Sequence, residues 1–352
     1  MADGGFHPPD DPIRLRGRSA SQKEDHPEMS TRHGPLNRRT FLEATATAAA
    51  AAAWGLAARP ARADEPTGRP AAGKIGDFKL SLAEWSLHKA LFARKIDNLD
   101  FPKIAREQYG IEGVEFVNQF FKDKAHDSAY LKELKSRASD LGVTCVLIMI
   151  DGEGDLSAPD AKARNQAVDH HKKWVDAAAA LGCHAIRVNT GEHYSPTDVG
   201  AVAEACSKLT EYGESRRISI ICENHGGPSS NPDAMVALMK VVNRPTFGTL
   251  PDFGNFPHKT GHSGPYAIDV YDAIARMMPF ARGVSAKSYD FDASGRETTL
   301  DFARILKIVT DAGYHGFVGI EYEGGRLSEP EGIKATRDLL LSLRGANYQP
   351  AG

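Results

Sequence analysis

The sequence has no CxxC pair among its four cysteines, no large excess of charge and no long run of strongly apolar residues. Without paired spacing, Cys145, Cys183, Cys206 and Cys222 read as buried free thiols rather than a disulfide. A formal net charge of -3 supplies no basic field, which argues against nucleic acid as the main partner. The alanine-rich stretch Ala44 to Ala58 is about fifteen residues long, too short and too weakly apolar to span a bilayer comfortably. What remains is an ordinary globular composition, 41% hydrophobic and 25% charged over 352 residues, with enough chain for one large core.

The amino-terminal portion reads as separate from the fold. Residues 1–36 are polar, rich in Pro, Arg, Asp and His, and aperiodic, so disorder is expected; Met29 stands just before the next motif as a second candidate start. Arg38-Arg39 then precedes Phe41-Leu42, the alanine run and the small-x-small triplet Ala61-Arg62-Ala63. That order is a twin-arginine export signal over residues 37–63, with Asp64 as the mature start and 64–78 as a linker. It predicts a periplasmic or secreted protein, the twin-arginine machinery as a transient partner, and no membrane attachment after cleavage.

From Lys79 onward, short β-rich runs alternate with helical periods. The predicted strands are Lys79 to Trp85, Gly113 to Val117, Thr144 to Ile150, Ala185 to Asn189, Ser219 to Glu223, Gly248 to Asp252, Gly283 to Lys287 and Phe317 to Tyr322. Predicted helices include Tyr130 to Leu141, Ala161 to Leu181, Val199 to Gly213, Asp233 to Val242, Ile268 to Met278, Leu300 to Ala312 and a closing Glu331 to Leu343. Glycine follows several of them, at Gly142, Gly182 and Gly313, where a left-handed cap would sit. Eight such units in one stretch predict a single-domain α/β protein, a (β/α)8 TIM barrel over 79–343, with 344–352 as a tail.

Several runs end on an ionisable residue, and such ends converge at one rim of a parallel barrel. In order they offer Glu84 with Trp85, Glu115, Asp151, Asn189, Glu223 with His225, Asp252 with Asn255, Lys287 with Tyr289, and Glu321 with Glu323. Three carboxylates at one rim, Glu223, Asp252 and Glu321, repel unless a cation or shared protons hold them, so these are the expected metal ligands. Glu115 reads as a helix cap, Asp151 as the start of a glycine-rich turn, and Glu323 as pointing away from the partners of Glu321 or into solvent. Asp290-Phe-Asp292-Ala-Ser294-Gly295 has the look of half a calcium loop but follows a strand, so it reads as a turn.

The mature region resembles the sugar phosphate isomerase/epimerase family, the xylose-isomerase-like barrels that include ketose 3-epimerases and, more distantly, endonuclease IV. The resemblance covers about residues 79 to 343 and implies a divalent metal (Mn, Co, Mg or Zn) on Glu223, Asp252 and Glu321, with the two glutamates facing each other across a sugar. The family usually offers histidine on its seventh strand, where this chain has Ser285. Many relatives also place histidine three residues after the aspartate, where this chain has Asn255. His225, His258 or His262 would then be the candidates to complete the ligand shell. Barrels of this family often pair, so a homo-oligomer is among its implications.

A metal that polarises a ketone and the adjacent hydroxyl eases removal of the carbon-bound proton between them. One of Glu223 or Glu321 would take that proton and the other return it, giving an isomerase or epimerase acting through an enediolate, with Lys287 stabilising the developing oxyanion. His225, Asn189, Asn255, Trp85 and Tyr289 are the expected substrate contacts, and Phe116 a further stacking candidate. Export favours an unphosphorylated sugar, a glycoside or a keto-sugar. The alternatives are a lyase eliminating the aglycone of a keto-glycoside at the same site, and a periplasmic sugar-binding barrel without catalysis.

Overall fold

The structure is a computed structural model that describes residues 70–260 and 265–350. The expected extension and export signal over 1–63 lie outside the described residues. Among these, no helix is long and apolar enough to cross a membrane.

Eight strands form the wall: β1 (Lys79–Ala83), β2 (Gly113–Val117), β3 (Thr144–Ile150), β4 (Ala185–Val188), β5 (Ser219–Glu223), β6 (Phe247–Leu250), β7 (Val284–Ser288) and β8 (Phe317–Tyr322). All their ladders are parallel, in the order β6-β5-β4-β3-β2-β1-β8-β7. Single parallel bridges, Thr249 to Ala281 and Asp252 to Ser285, join β6 to β7 and close the ring. There the Arg282 N–H donates to Thr249 O at 2.9 Å, and Ser285 N–H to Pro251 O at 3.0 Å.

The crossovers carry α1 (Phe101–Tyr109), α2 (Ser128–Asp140), α3 (Ala161–Leu181), α4 (Gly200–Arg216), α5 (Pro232–Val242), α6 (Val270–Met277), α7 (Phe302–Asp311) and α8 (Glu329–Leu343). Their ends are set locally. Asp127, Asp160, Asn231, Asp269, Asp301 and Ser328 accept first-turn N–H groups, and Gly182 ends α3 at φ 83°, a conformation only glycine takes without strain. Asp301 is thus spent as a cap. Asp292 accepts from Ser294 and Arg296 in a tight turn, which disposes of the calcium-loop resemblance.

Strand parity divides two cores. Leu82, Val114, Phe116, Ile148, Ile186, Ile220, Val318 and Ile320 pack outward under the helices, with Phe116 edge-on to Phe101 and Phe121. A small inner set, Ala83, Val117, Leu147, Met149, Ala185, Ile221 and Leu250, fills the barrel axis. Phe116 is fully buried in the outer layer and cannot stack on a sugar, because its neighbour Glu115 takes the inward position and strand side chains alternate. The four cysteines are free and buried. Gly73–Lys74 and Asn347–Tyr348, flanking the barrel in sequence, pair antiparallel as a clasp.

Candidate functional site at the carboxyl rim

The inward positions of the last strands carry charge instead of apolar groups. Glu223 ends β5, Asp252 follows β6, and Glu321 sits in β8. All three are buried, and one carboxylate oxygen from each lies within 4.8 Å of the others. No other such group of His, Cys, Asp and Glu occurs among the described residues, so His225 and His258 stand apart from it; His262 lies outside the described residues. The strand ends are fixed by amide side chains that mimic the next ladder rung. Asn224 Oδ1 accepts from the Asp252 N–H at 2.7 Å while its Nδ2 donates to Asp252 O at 3.0 Å. Asn118 does the same for Asp151, at 3.0 and 2.9 Å.

Asp252 Oδ1 accepts the N–H groups of Gly254 and Asn255, both at 2.8 Å, which aims Oδ2 at the cluster. Ser285 Oγ is 2.6 Å from Asp252 Oδ2 and 3.1 Å from Glu321 Oε2. One hydroxyl proton cannot satisfy two carboxylates. Glu223 Oε1 accepts from Asn255 Nδ2 at 3.0 Å, while Glu223 Oε2 is buried and meets the Arg187 guanidinium only as a charge, without an aligned N–H. Burial first, then mutual repulsion, pushes Glu223 and Asp252 up to about 7, although Arg187 and Lys287 pull the other way. A carboxylate oxygen without a hydrogen bond, a shared hydroxyl and carboxylates that resist ionisation together are what a divalent cation would resolve, so the donor set fits a hard cation with oxygen ligands.

Two buried cations balance the cluster. Lys287 Nζ is 2.9 Å from Glu321 Oε1 and 3.3 Å from Glu323 Oε2. Burial raises Glu321, but the Lys287 charge and hydrogen bond outweigh it and hold that carboxyl below its ordinary range. Glu323 therefore shares a partner with Glu321, contrary to expectation, because residues two apart on a strand keep one face. Arg187, 4% exposed on β4, lies 2.8 Å from Asp151 Oδ1 and 2.8 Å from Glu223 Oε2. The second contact is an ion pair without N–H alignment, since Arg187 Nε has no hydrogen-bond acceptor. Arg187 is not among the expected site residues; its signal in the sequence is a single arginine inside the apolar run Ala-Ile-Arg-Val, two residues before Asn189 and so on its face.

The other expected positions divide. Asn255, His225 and Tyr289 line a cavity of about 560 Å³ beside the cluster, together with Gly226, Phe256, His258 and Glu323. Trp85 lies at the same rim, its indole N–H donating to Glu323. Asn189 is instead engaged in structure, donating to Asp151 Oδ1 at 2.8 Å and accepting from Arg187 at 3.1 Å. Asp151 is held well below the usual carboxylate range: burial opposes this, but the Arg187 charge and hydrogen bond prevail. Glu84 turns away from the rim, because the chain leaves β1 in a 3-10 turn there, and accepts the Val117 N–H at 2.8 Å.

Glu115 is not a helix cap. It points into the barrel, accepting from Ser81 Oγ at 2.5 Å over Gly319, whose absent Cβ would lie 2.6 Å from Glu115 Oε1. Burial, against the Ser81 hydrogen bond, pushes Glu115 up to about 8. A carboxyl with a raised folded-state pKa stabilises fully below its unfolded value, and that contribution is lost as pH rises through the folded one. The unfolding midpoint of wild type should therefore fall between pH 6 and 8 by more than that of Glu115→Gln, as read by thermal scans. Parallel curves would show that Glu115 is ionised throughout.

A closed parallel barrel with a buried acidic cluster at its carboxyl rim is the architecture of a (β/α)8 enzyme scaffold. The sequence pattern of the xylose isomerase-like TIM barrel matches residues 104–343, and the chain belongs to that family. It matches no curated protein. Among solved structures it resembles D-psicose 3-epimerase from Clostridium cellulolyticum H10, determined with D-tagatose, with a TM-score of 0.60, 14% identity, and 76% of this chain and 100% of that one covered. A xylose isomerase-like TIM barrel protein from Mycobacterium smegmatis in complex with magnesium gives 0.55 and 16%, covering 77% and 98%. A probable 3-DHS dehydratase from Bacillus anthracis gives 0.58 and 16%, covering 75% and 99%. At these identities the likeness is one of fold.

Proposed function

We propose that the protein is a metal-dependent isomerase or epimerase of a sugar or keto-sugar. The observation that carries this is the convergence of Glu223, Asp252 and Glu321 within 4.8 Å, with Lys287 bonded to one of them. A divalent cation on these carboxylates would polarise a substrate ketone and its neighbouring hydroxyl. Glu223 and Glu321 reach the same point from β5 and β8. One removes the proton from the carbon between the two oxygens, and the other returns it to the opposite face or to the adjacent carbon. Lys287 has three N–H bonds and two carboxylate partners, which leaves one donor for the oxygen on which charge develops. Arg187 holds Glu223 and Asp151 in place.

Elimination from a keto-glycoside begins with the same proton removal. It is favoured by Tyr289, whose phenol lines the cavity and keeps its proton through burial and the Asp252 charge, and so would offer an O–H donor to a departing oxygen. The Arg38-Arg39 signal supports action after export, where free sugars outnumber their phosphates. The test is proton NMR of manganese-loaded protein with ketoses and keto-glycosides in deuterated buffer. Deuterium entering beside the ketone in an intact product supports isomerisation or epimerisation, and release of the aglycone supports elimination. No exchange with any of them, under any divalent metal, would contradict both and leave a sugar-binding barrel.

A further inference from the structure

Three large hydrophobic side chains are well exposed among the described residues: Phe92 at 56%, Val241 at 58% and Leu341 at 41%. Val241 and Leu341 lie near the ends of α5 and α8, at the amino-terminal face of the barrel. Phe92, in the short helix His88–Phe92 after β1, stands at the carboxyl rim. It meets Trp85 edge-on at 6.0 Å and Phe120 at 5.1 Å, and Trp85 in turn stacks on His88 at 4.9 Å. Such a face is joined to the site directly. Trp85 donates to Glu323, Glu323 lines the cavity beside the cluster, and its other oxygen faces Lys287. Among the described residues the cavity lining contains no lysine or arginine, and Glu323 is its one carboxylate. A phosphate or carboxylate on the substrate would meet the Glu323 carboxylate there and no lysine or arginine of the described lining.

We propose that the substrate is an uncharged glycoside of at least two units, one sugar at the carboxylate cluster and the second ring lying on the Trp85, Phe92 and Phe120 face. The inference rests on the carbohydrate reading above. Aromatic faces attract the C–H-rich face of a sugar ring, and the exposed Phe92, packed edge-on against the half-buried Trp85 and Phe120, supplies an apolar, water-excluding surface next to the site.

Calorimetric titration of the manganese-loaded protein tests this without needing turnover. The probes are neutral disaccharides (cellobiose, maltose, lactose, sucrose), their component monosaccharides, and glucose and fructose 6-phosphates. The expected result is at least one disaccharide binding about 3- to 10-fold more tightly than its components. Phe92→Ala should abolish that advantage and Phe92→Tyr retain it, while the phosphates bind no better than the parent sugars. Phe92 is exposed enough for both variants to fold. Equal binding of mono- and disaccharides, a preference for the phosphates, or indifference to Phe92→Ala would overturn the inference while leaving the carbohydrate reading intact. Failure of every saccharide to bind would overturn that reading and the inference with it.

Discussion

Replacing Glu321 by glutamine should lower turnover by on the order of 10²- to 10⁴-fold, the range of a lost general acid or base. The residue combines three roles. It contributes a carboxylate oxygen to the cluster, it is the nearest anion to Lys287 at 2.9 Å, and its other oxygen shares the Ser285 hydroxyl with Asp252. Glutamine keeps the size and can still accept from Lys287, which also retains Glu323 at 3.3 Å. The fold should therefore survive, and the loss should appear in kcat rather than in thermal stability. Deuterium exchange into the substrate beside its ketone is the readout. Exchange near the wild-type rate would remove Glu321 from the proton-transfer step.

The second large effect concerns stability. Arg187→Leu strands two acids around a buried position: Glu223, 1% exposed, and Asp151, 21% exposed. Removing one member of a buried ion pair costs about 3–5 kcal/mol, because the remaining charge keeps its desolvation penalty. For a domain of this size that corresponds to a fall of about 6–20 °C in the unfolding midpoint. A divalent cation should restore part of the loss, since it binds the folded cluster and not the unfolded chain. A midpoint unchanged in the metal-free variant would mean that Glu223 and Asp151 are neutral in the native protein and that Arg187 is not their counter-ion.

Much of the fold was legible because the barrel repeats one simple rule. The bounds of β2, β3, β5, β8 and α3 fall where the apolar runs and helical periods place them. The misses have local causes. The α1 helix was overlooked among its charged residues, although Phe101, Ile104, Ala105 and Tyr109 carry a helical spacing. Reading each strand by its last residue favoured Asn189 and passed over Arg187, when parity would have offered both. Parity would also have assigned Phe116 outward and Glu323 to the face of Glu321. Two things lay beyond it. The 3-10 turn that rotates Glu84 out of the rim follows from the junction of β1 with β8, where Ser86 Oγ accepts the Tyr322 N–H at 2.9 Å. The aromatic face at Phe92 and Phe120 brings together two separate loops, which no spacing within either one reveals.

The central claim is that the rim holds a divalent metal on Glu223, Asp252 and Glu321. Its most direct test is the metal content of the mature protein beside a variant carrying Glu223→Ala, Asp252→Ala and Glu321→Ala together. About one equivalent of manganese, cobalt, magnesium or zinc in wild type, absent from a folded variant, is the predicted result. No metal in wild type after reconstitution, or equal metal in both, would contradict it.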